Sequence, residues 1–282
     1  DAPSLESYVD AMGWMNPFYA PLRKALDDPR YSAREKQLIA GNLERVRAIP
    51  AQPKGKHILV DAASARLWMY EDDKVVDTMK VVVGNEKLGE TPMMAGWIRW
   101  AIENPYWEVP NDITQNELAP HVLKNGIGYL KAHGYEVLAD WDSDSPVLDP
   151  KTVDWQAVRD GQRQVHVRQK PGDGNFMGKV KFEFPNPKGI YLHDTPAKHL
   201  MNEEARQLSH GCIRMEDAAK MHRWLMGEPI PTNAAPEDKV PLETPVPIYV
   251  TYLTARPASG GEIVFLDDPY GRDGDIRLAA AD

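Results

Sequence analysis

The 282-residue chain is 42% hydrophobic and 27% charged, the balance of a folded globular protein and not of a disordered one. Its 33 Lys and Arg against 42 Asp and Glu leave a formal charge of −9, which excludes the basic footprint expected of a nucleic-acid binder. A single cysteine rules out an internal disulfide, and no run approaches the roughly 18 apolar residues of a membrane span.

Residues 4 to 48 read as a pair of helices packed on the main domain: "LESYVDAMGWM" and "YSAREKQLIAGNLERVRAI" place apolar residues at mixed three and four spacings. Ser32 with Glu35 three positions later makes a capping-box pattern. "PAQPKGK" at 50 to 56 breaks the helical region. From His57 the period changes, and "HILVDAASARLWMYEDDKVVDTMKVVVG" predicts an antiparallel meander of strands. A long glycine-bearing turn, "VGNEKLGETP", leads to Thr91 and Pro92, and strands resume at "GWIRWAI".

Residues 104 to 178 form an aromatic-rich stretch with one or two short helices around 113 to 133 and a glycine-rich close, and predict an insertion over a site. Gly172, Gly174 and Gly178 are candidate hinges, or the marks of tight turns. "KVKFEFPNPKGIYLHDTP" then gives a strand, a turn and a strand ending at His193. "MEDAAKMHRWLMG" reads as a helix stopped by Gly227, "TPVPIYVTYLTA" as a late strand, "GEIVFLDDPYG" as a last short one, and the alanine-rich end as a loose tail. The expected class is α+β, mainly β. The opening "DAPSLESYVD", without an initial Met, fits an exported protein after signal removal, and equally a trimmed chain.

The one cysteine lies in "RQLSHGCIRM", residues 206 to 215. A free thiol with a pKa near 8.5 is only a few per cent ionised at neutral pH, so a nucleophilic Cys212 needs a histidine or a positive field beside it. His210 stands two residues before it, and the connection after His193 is long enough to bring that strand end back. Gly211 leaves main-chain N–H groups open as an oxyanion hole. A buried structural thiol is the alternative; the neighbouring serine, histidine, glycine and arginine favour chemistry. His193, His210 and Cys212 also compose a possible three-ligand zinc set, without an HExxH or CxxC motif to strengthen it.

"YLHDTP" followed by "SHGCIRM" resembles the signature of the L,D-transpeptidase catalytic (YkuD) family: a histidine, a spacer of about fourteen to seventeen residues, Ser or Thr, His-Gly-Cys, an aliphatic residue, and Arg or Asn. Fifteen residues separate His193 from Ser209. "GETP", "NPYWEVP", "PGDGNFMGKVKFEFPNP" and "IYLHDTP" are similar to the larger periplasmic branch, whose catalytic domain carries a capping insertion. The resemblance implies a mixed β-sheet catalytic domain over 55–254 that includes the insertion at about 104–178, after an N-terminal helical segment, 1–54, and before a C-terminal strand and tail, 255–282.

By the same resemblance Cys212 is the acyl-accepting nucleophile and His193 its general base, oriented by the main-chain carbonyl of Asp194. His210 tunes the cysteine, Ser209 supports the turn, and Gly211 and Cys212 supply oxyanion N–H groups. Arg214 braces the loop or meets a substrate carboxylate, with an ion pair to Glu216 or Asp217 as the structural alternative. Tyr191, Trp107, Tyr106 and Asn104 are candidate walls of the substrate groove, and Arg206, Lys179 and Lys181 candidate carboxylate contacts. The implied reaction passes through a thioester: Cys212 takes the acyl group of a peptidoglycan tetrapeptide stem, releases D-alanine, and hands the acyl group to an amine on a second stem. Carbapenem β-lactams are implied as covalent inhibitors, the periplasm as the location, and no cofactor. Water or another amine as acceptor, and a non-catalytic wall-binding module, are the competing readings.

Overall fold

A computed structural model of the chain describes residues 4, 5, 7, 15–51, 54–72, 74–141, 145–258 and 260–274. Most of the helical stretch predicted at 4 to 15 lies outside the described residues. Two helices follow, α1 (Tyr19–Ala25) and α2 (Ala33–Arg47). The capping box is present: the Ser32 hydroxyl accepts the Glu35 N–H at 3.3 Å, and the Glu35 carboxylate accepts the Ser32 N–H at 2.7 Å. Ile39, Leu43 and Val46, at helical spacing, bury one face of α2.

The meander appears as β1 (Lys56–Asp61), β2 (Arg66–Glu71) and β3 (Lys74–Gly84), antiparallel in sequence. β4 (Met94–Glu103) leads into the insertion, which contains β5 (Trp107–Val109), α3 (Asn111–Ile113), a π-helical turn (Thr114–Leu118), α4 (Ala119–Asn125), α5 (Gly128–Ala132), β6 (Tyr135–Leu138), β7 (Val147–Leu148), α6 (Trp155–Arg159) and β8 (His166–Gln169). The chain returns through β9 (Val180–Glu183), β10 (Tyr191–His193), β11 (Gln207–Ser209), β12 (Ile213–Met215), α7 (Ala218–Met226), β13 (Asp238–Thr251), β14 (Ala255–Pro257) and β15 (Ile263–Phe265). Asp217 caps α7 and Gly227 ends it in the left-handed conformation, φ 82°. Among the described residues no helix is long and apolar enough to cross a membrane.

Nine strands form one mixed sheet in the order β11-β3-β12-β10-β9-β4-β13-β1-β2, and a further β2–β3 pairing closes it on itself. Closure is possible because β3 is 11 residues long: Lys74 to Lys80 pair with β2, whereas Val81 and Val82 pair with β12. Alternation then sorts the side chains. Val60, Leu67, Val81, Phe182, Leu192 and Ile213 meet in one inner core. Leu59, Trp68 and Tyr249 face outward into a second cluster with α1, α2 and β15.

The insertion is more than helices and loop. Its four short strands make a separate sheet, β5-β8-β6-β7, over a core that includes Trp107, Leu130, Val137, Trp155 and Val167. Strands of 2 to 4 residues carry too few alternations for a period to be read, which is why this sheet is illegible in the sequence. Its glycine-rich end is pinned: the Asn175 side-chain amide donates to the carbonyls of Pro105, Gln169 and Lys170, and its oxygen accepts the Met177 N–H at 2.7 Å. Gly178, offered as a hinge, has another task. At φ 64° an added Cβ would lie 2.4 Å from the Asp194 carboxylate, so the glycine makes room for that group.

Candidate active site

The parallel pairing of β10 with β12 aligns Leu192 with Ile213 and His193 with Arg214. Leu192 and Ile213 are fully buried in the inner core, so their neighbours point the other way. Tyr191, His193, Cys212 and Arg214 therefore share the outer face, where they line one cavity of about 400 Å³. The insertion closes over it with Trp107, Ile113, Glu117, Tyr129 and Phe176.

His193 and Cys212 line the same cavity, with the thiol 3.7 Å from the Gly189 carbonyl oxygen. His193 Nδ1 lies 2.5 Å from the carbonyl oxygen of Asp194. A carbonyl can only accept, so Nδ1 carries the proton and Nε2 keeps its lone pair. Burial, with the Arg214 guanidinium second, drives the imidazole pKa down to about 3 against the opposing pull of the Asp194 carbonyl. Burial also pushes the Cys212 thiol up, opposed by hydrogen bonds from the main chain and hydroxyl of Tyr191 and by the charge of Arg214. At neutral pH the site therefore holds a neutral imidazole and a neutral thiol.

The turn before the nucleophile is held from inside. Ser209, 1% exposed, donates its hydroxyl to the Cys212 carbonyl at 2.7 Å and accepts the Gly211 N–H at 3.1 Å. The Gly211 amide, expected in the oxyanion hole, is thus committed within the turn, which leaves that of Cys212 from the predicted pair. Gly211 sits at φ 114°, a backbone conformation that strains any side chain, and a Cβ there would also displace Ile190 Cδ1 at 2.9 Å.

Two further residues support the turn. Thr91 donates to the Gly211 carbonyl at 2.6 Å and accepts the Gly84 N–H at 2.8 Å. Tyr270 accepts the Thr91 N–H at 3.3 Å and donates to the Gly84 carbonyl at 2.9 Å. "GETP" contains the first without revealing its target; nothing in the sequence points to Tyr270.

The remaining expectations divide. The Asp194 carboxylate takes the Lys179 N–H at 2.9 Å and the Lys198 ammonium at 2.8 Å, so the hydrogen bond from the histidine is accepted by its main-chain carbonyl, while its charge acts on the imidazole from a distance. Glu216 and Asp217 accept the main-chain N–H groups of Lys80 and Lys220, and Arg214 faces the cavity instead of pairing with them. His210 also lines the cavity, and its Nε2 is 3.0 Å from Glu117 of the insertion. Trp107 is both core of the insertion and cavity wall.

Arg206 and Asn104 do not reach the cavity. The Arg206 guanidinium is held by the carbonyls of Ser64, Ala65, Val81 and Glu203, a clamp between strands whose residue type alone suggested carboxylate binding. Asn104 adopts φ 48° and donates its amide to the Ala234 carbonyl at 3.0 Å, fastening a loop. Lys181 pairs with Glu237 at 2.8 Å, Tyr106 stacks under Arg168, and Lys179 also lies outside the lining. Among the described residues no group of three or more His, Cys, Asp and Glu side chains is arranged to hold a metal ion.

The chain is 33% identical over 251 residues to a Haemophilus influenzae protein named "Putative L,D-transpeptidase", a match covering 86% of this chain. The chain spans about half of that relative's length, 49%. Among solved structures, an L,D-transpeptidase from Mycobacterium smegmatis matches 70% of this chain and 59% of its own at 15% identity and a TM-score of 0.35. The catalytic domain of an E. faecium L,D-transpeptidase acylated by ertapenem matches 70% of this chain and 98% of its own, also at 15% identity and a TM-score of 0.35. A family match to YkuD, the L,D-transpeptidase catalytic domain, covers residues 55–248, and with the cavity it encloses this places the chain in the L,D-transpeptidase catalytic domain (YkuD) family.

Proposed function

We propose that the protein is a peptidoglycan L,D-transpeptidase that works through a thioester on Cys212. The observation that carries this is the sharing of one outer sheet face and one covered cavity by an imidazole whose Nδ1 is held by the Asp194 carbonyl and the only thiol of the chain. The thiol proton passes to His193 as sulfur attacks the carbonyl between the third residue of a tetrapeptide stem and its terminal D-alanine. The carbonyl electron pair moves to oxygen, beside the Cys212 N–H, and its return expels D-alanine, protonated by the imidazolium. An acceptor amine then attacks the thioester, and sulfur leaves with the proton that the amine delivers through His193.

Because both partners rest neutral, proton transfer accompanies C–S bond formation and no stored thiolate is needed. Arg214, on the cavity floor without Glu216 or Asp217 for company, suits a stem carboxylate. The insertion keeps bulk water from the thioester while leaving room for a second stem. Peptidoglycan stems are met on the periplasmic side of an envelope, which supports that location, and the ertapenem-acylated E. faecium relative supports reading Cys212 as a β-lactam-sensitive thiol.

Incubation with a defined disaccharide-tetrapeptide, followed by mass spectrometry of protein and products, tests this. The expected results are an acyl adduct on Cys212 with loss of alanine, a crosslinked dimer, and neither with Cys212→Ala. Product formation by the alanine variant would refute the assignment; trimmed monomer alone would make the enzyme an L,D-carboxypeptidase.

A further inference from the structure

The charges around the cavity are segregated. Its permanent cations, Lys188 and Arg214, come from the barrel, whereas both carboxylates, Asp112 and Glu117, come from the insertion. Glu117 stands on the π-helical turn, a widening of the helix that turns side chains off the regular register and is common where a helix serves a site. Its carboxylate reaches across the cavity to His210, two residues before the nucleophile, with Oε1 3.0 Å from Nε2, and its field is felt at Arg214. The carboxylate is 51% exposed, so an incoming group can reach it without unpacking the insertion.

We propose that Glu117 is the acceptor-recognition residue, binding the primary ammonium of the acceptor beside the thioester and thereby selecting cationic amines over water and neutral nucleophiles. This rests on the reading of Cys212 as the acylated residue. The two half-reactions bring opposite charges to the cavity: the donor stem arrives with a carboxylate, suited to Arg214, and the acceptor arrives as an ammonium. A carboxylate accepts up to three-centre hydrogen bonding from an ammonium at the distance Glu117 now holds His210. An ammonium that replaces the imidazole there lies next to residues 210 to 212, where the acyl carbon is held.

The proton count closes with the groups present. The acceptor nitrogen enters with three protons and ends in the amide with one. One proton leaves to solvent by way of the half-exposed Glu117 carboxylate, which frees the lone pair. The other passes to neutral His193 as the C–N bond forms, and from there to sulfur as the C–S bond breaks. His210, released from Glu117 when the ammonium docks, does not itself accept a proton in this sequence.

The test compares wild type, Glu117→Gln and Glu117→Asp, each acylated first with a defined tetrapeptide donor and then offered one of two nucleophiles: a free diamino acid, cationic at neutral pH, or hydroxylamine, which is uncharged there. Glu117→Gln is expected to raise the KM for the diamino acid about ten- to hundredfold, the span of a hydrogen bond to a charged group. Hydroxylamine should react at the wild-type rate, and Glu117→Asp should recover part of the loss. Partition of the acyl-enzyme toward hydrolysis should rise with Glu117→Gln. An equal loss with both nucleophiles would make Glu117 a brace for the insertion and overturn the proposal, as would no loss with either. Failure of wild-type Cys212 to acquire the acyl group at all would instead remove the function proposed above.

Discussion

His193 and Cys212 are both pushed toward their uncharged forms, and the same burial explains both directions. Removing a charge from water is unfavourable for imidazolium and thiolate alike. Tyr191 opposes this at the sulfur, because its own pKa is held well above the ordinary value, chiefly by burial, and its hydroxyl keeps a proton to donate. Tyr191→Phe should therefore shift the pH profile of Cys212 alkylation upward while leaving the ring packing against His193 in place. An unshifted iodoacetamide profile would remove the hydroxyl from any part in stabilising sulfur.

The histidine also bears on stability. Its folded pKa of about 3 lies below the ordinary 6.5, so between those values the unfolded chain binds a proton that the folded chain declines. The contribution of neutral His193 is complete above about pH 6.5 and declines as the pH falls toward 3. Denaturant titrations of wild type and His193→Gln between pH 7 and pH 4 should show wild type losing more of its stability on acidification. Parallel losses would place the acid sensitivity elsewhere.

At the scale of elements, the nucleophile turn depends on partners that arrive from distant segments. Thr91 satisfies the Gly211 carbonyl and the Gly84 N–H at once, and it is fully buried. Thr91→Val keeps the shape and strands both groups, each a buried polar atom without its partner, at a cost of about 1–3 kcal/mol apiece before relaxation. The expected result is a lower melting temperature together with slower acylation of Cys212, since the turn that presents the thiol loses its anchor. Thr91→Ser should restore much of both. Normal acylation by a destabilised Thr91→Val would show that the turn holds its shape unaided.

Across the molecule, the barrel is sealed at one end by residues from the far terminus. Tyr270 belongs to the inner core and stacks on Tyr252 with ring centroids 4.9 Å apart. Asp273 meets Arg45 of α2 at 2.9 Å and Thr254 at 3.0 Å, and Arg272 pairs with Glu90 in the segment that carries Thr91. Deletion of residues 255 to 282 should thus lower stability and weaken Cys212 acylation, although the family match ends at residue 248. A truncated protein with unchanged melting and acylation would contradict this coupling between the end of the chain and the nucleophile turn.

Much of this was readable before any coordinates. Alternation and turn chemistry mark the meander and the strands ending at His193; capping chemistry marks α2 and α7; a spacing of fifteen residues unites His193 with the SHGC block. These are local patterns, written within a few residues of the feature they specify. The sheet of the insertion escaped because its strands are shorter than the period that reveals them, and Arg206 and Asn104 were misplaced because residue type does not say which carbonyl lies overhead.

The chain by itself established the chemistry available: one thiol, two histidines at telling separations, and a glycine directly before the thiol. Three-dimensional packing determined which groups use it. Burial sets the protonation of His193 and Cys212, the parallel register of β10 and β12 puts them on one face, and the tertiary contacts of Thr91, Glu117 and Tyr270 join segments up to 186 residues apart. Such contacts leave no periodic trace in a sequence, because hydrogen bonds and electric fields act through space and not along the chain.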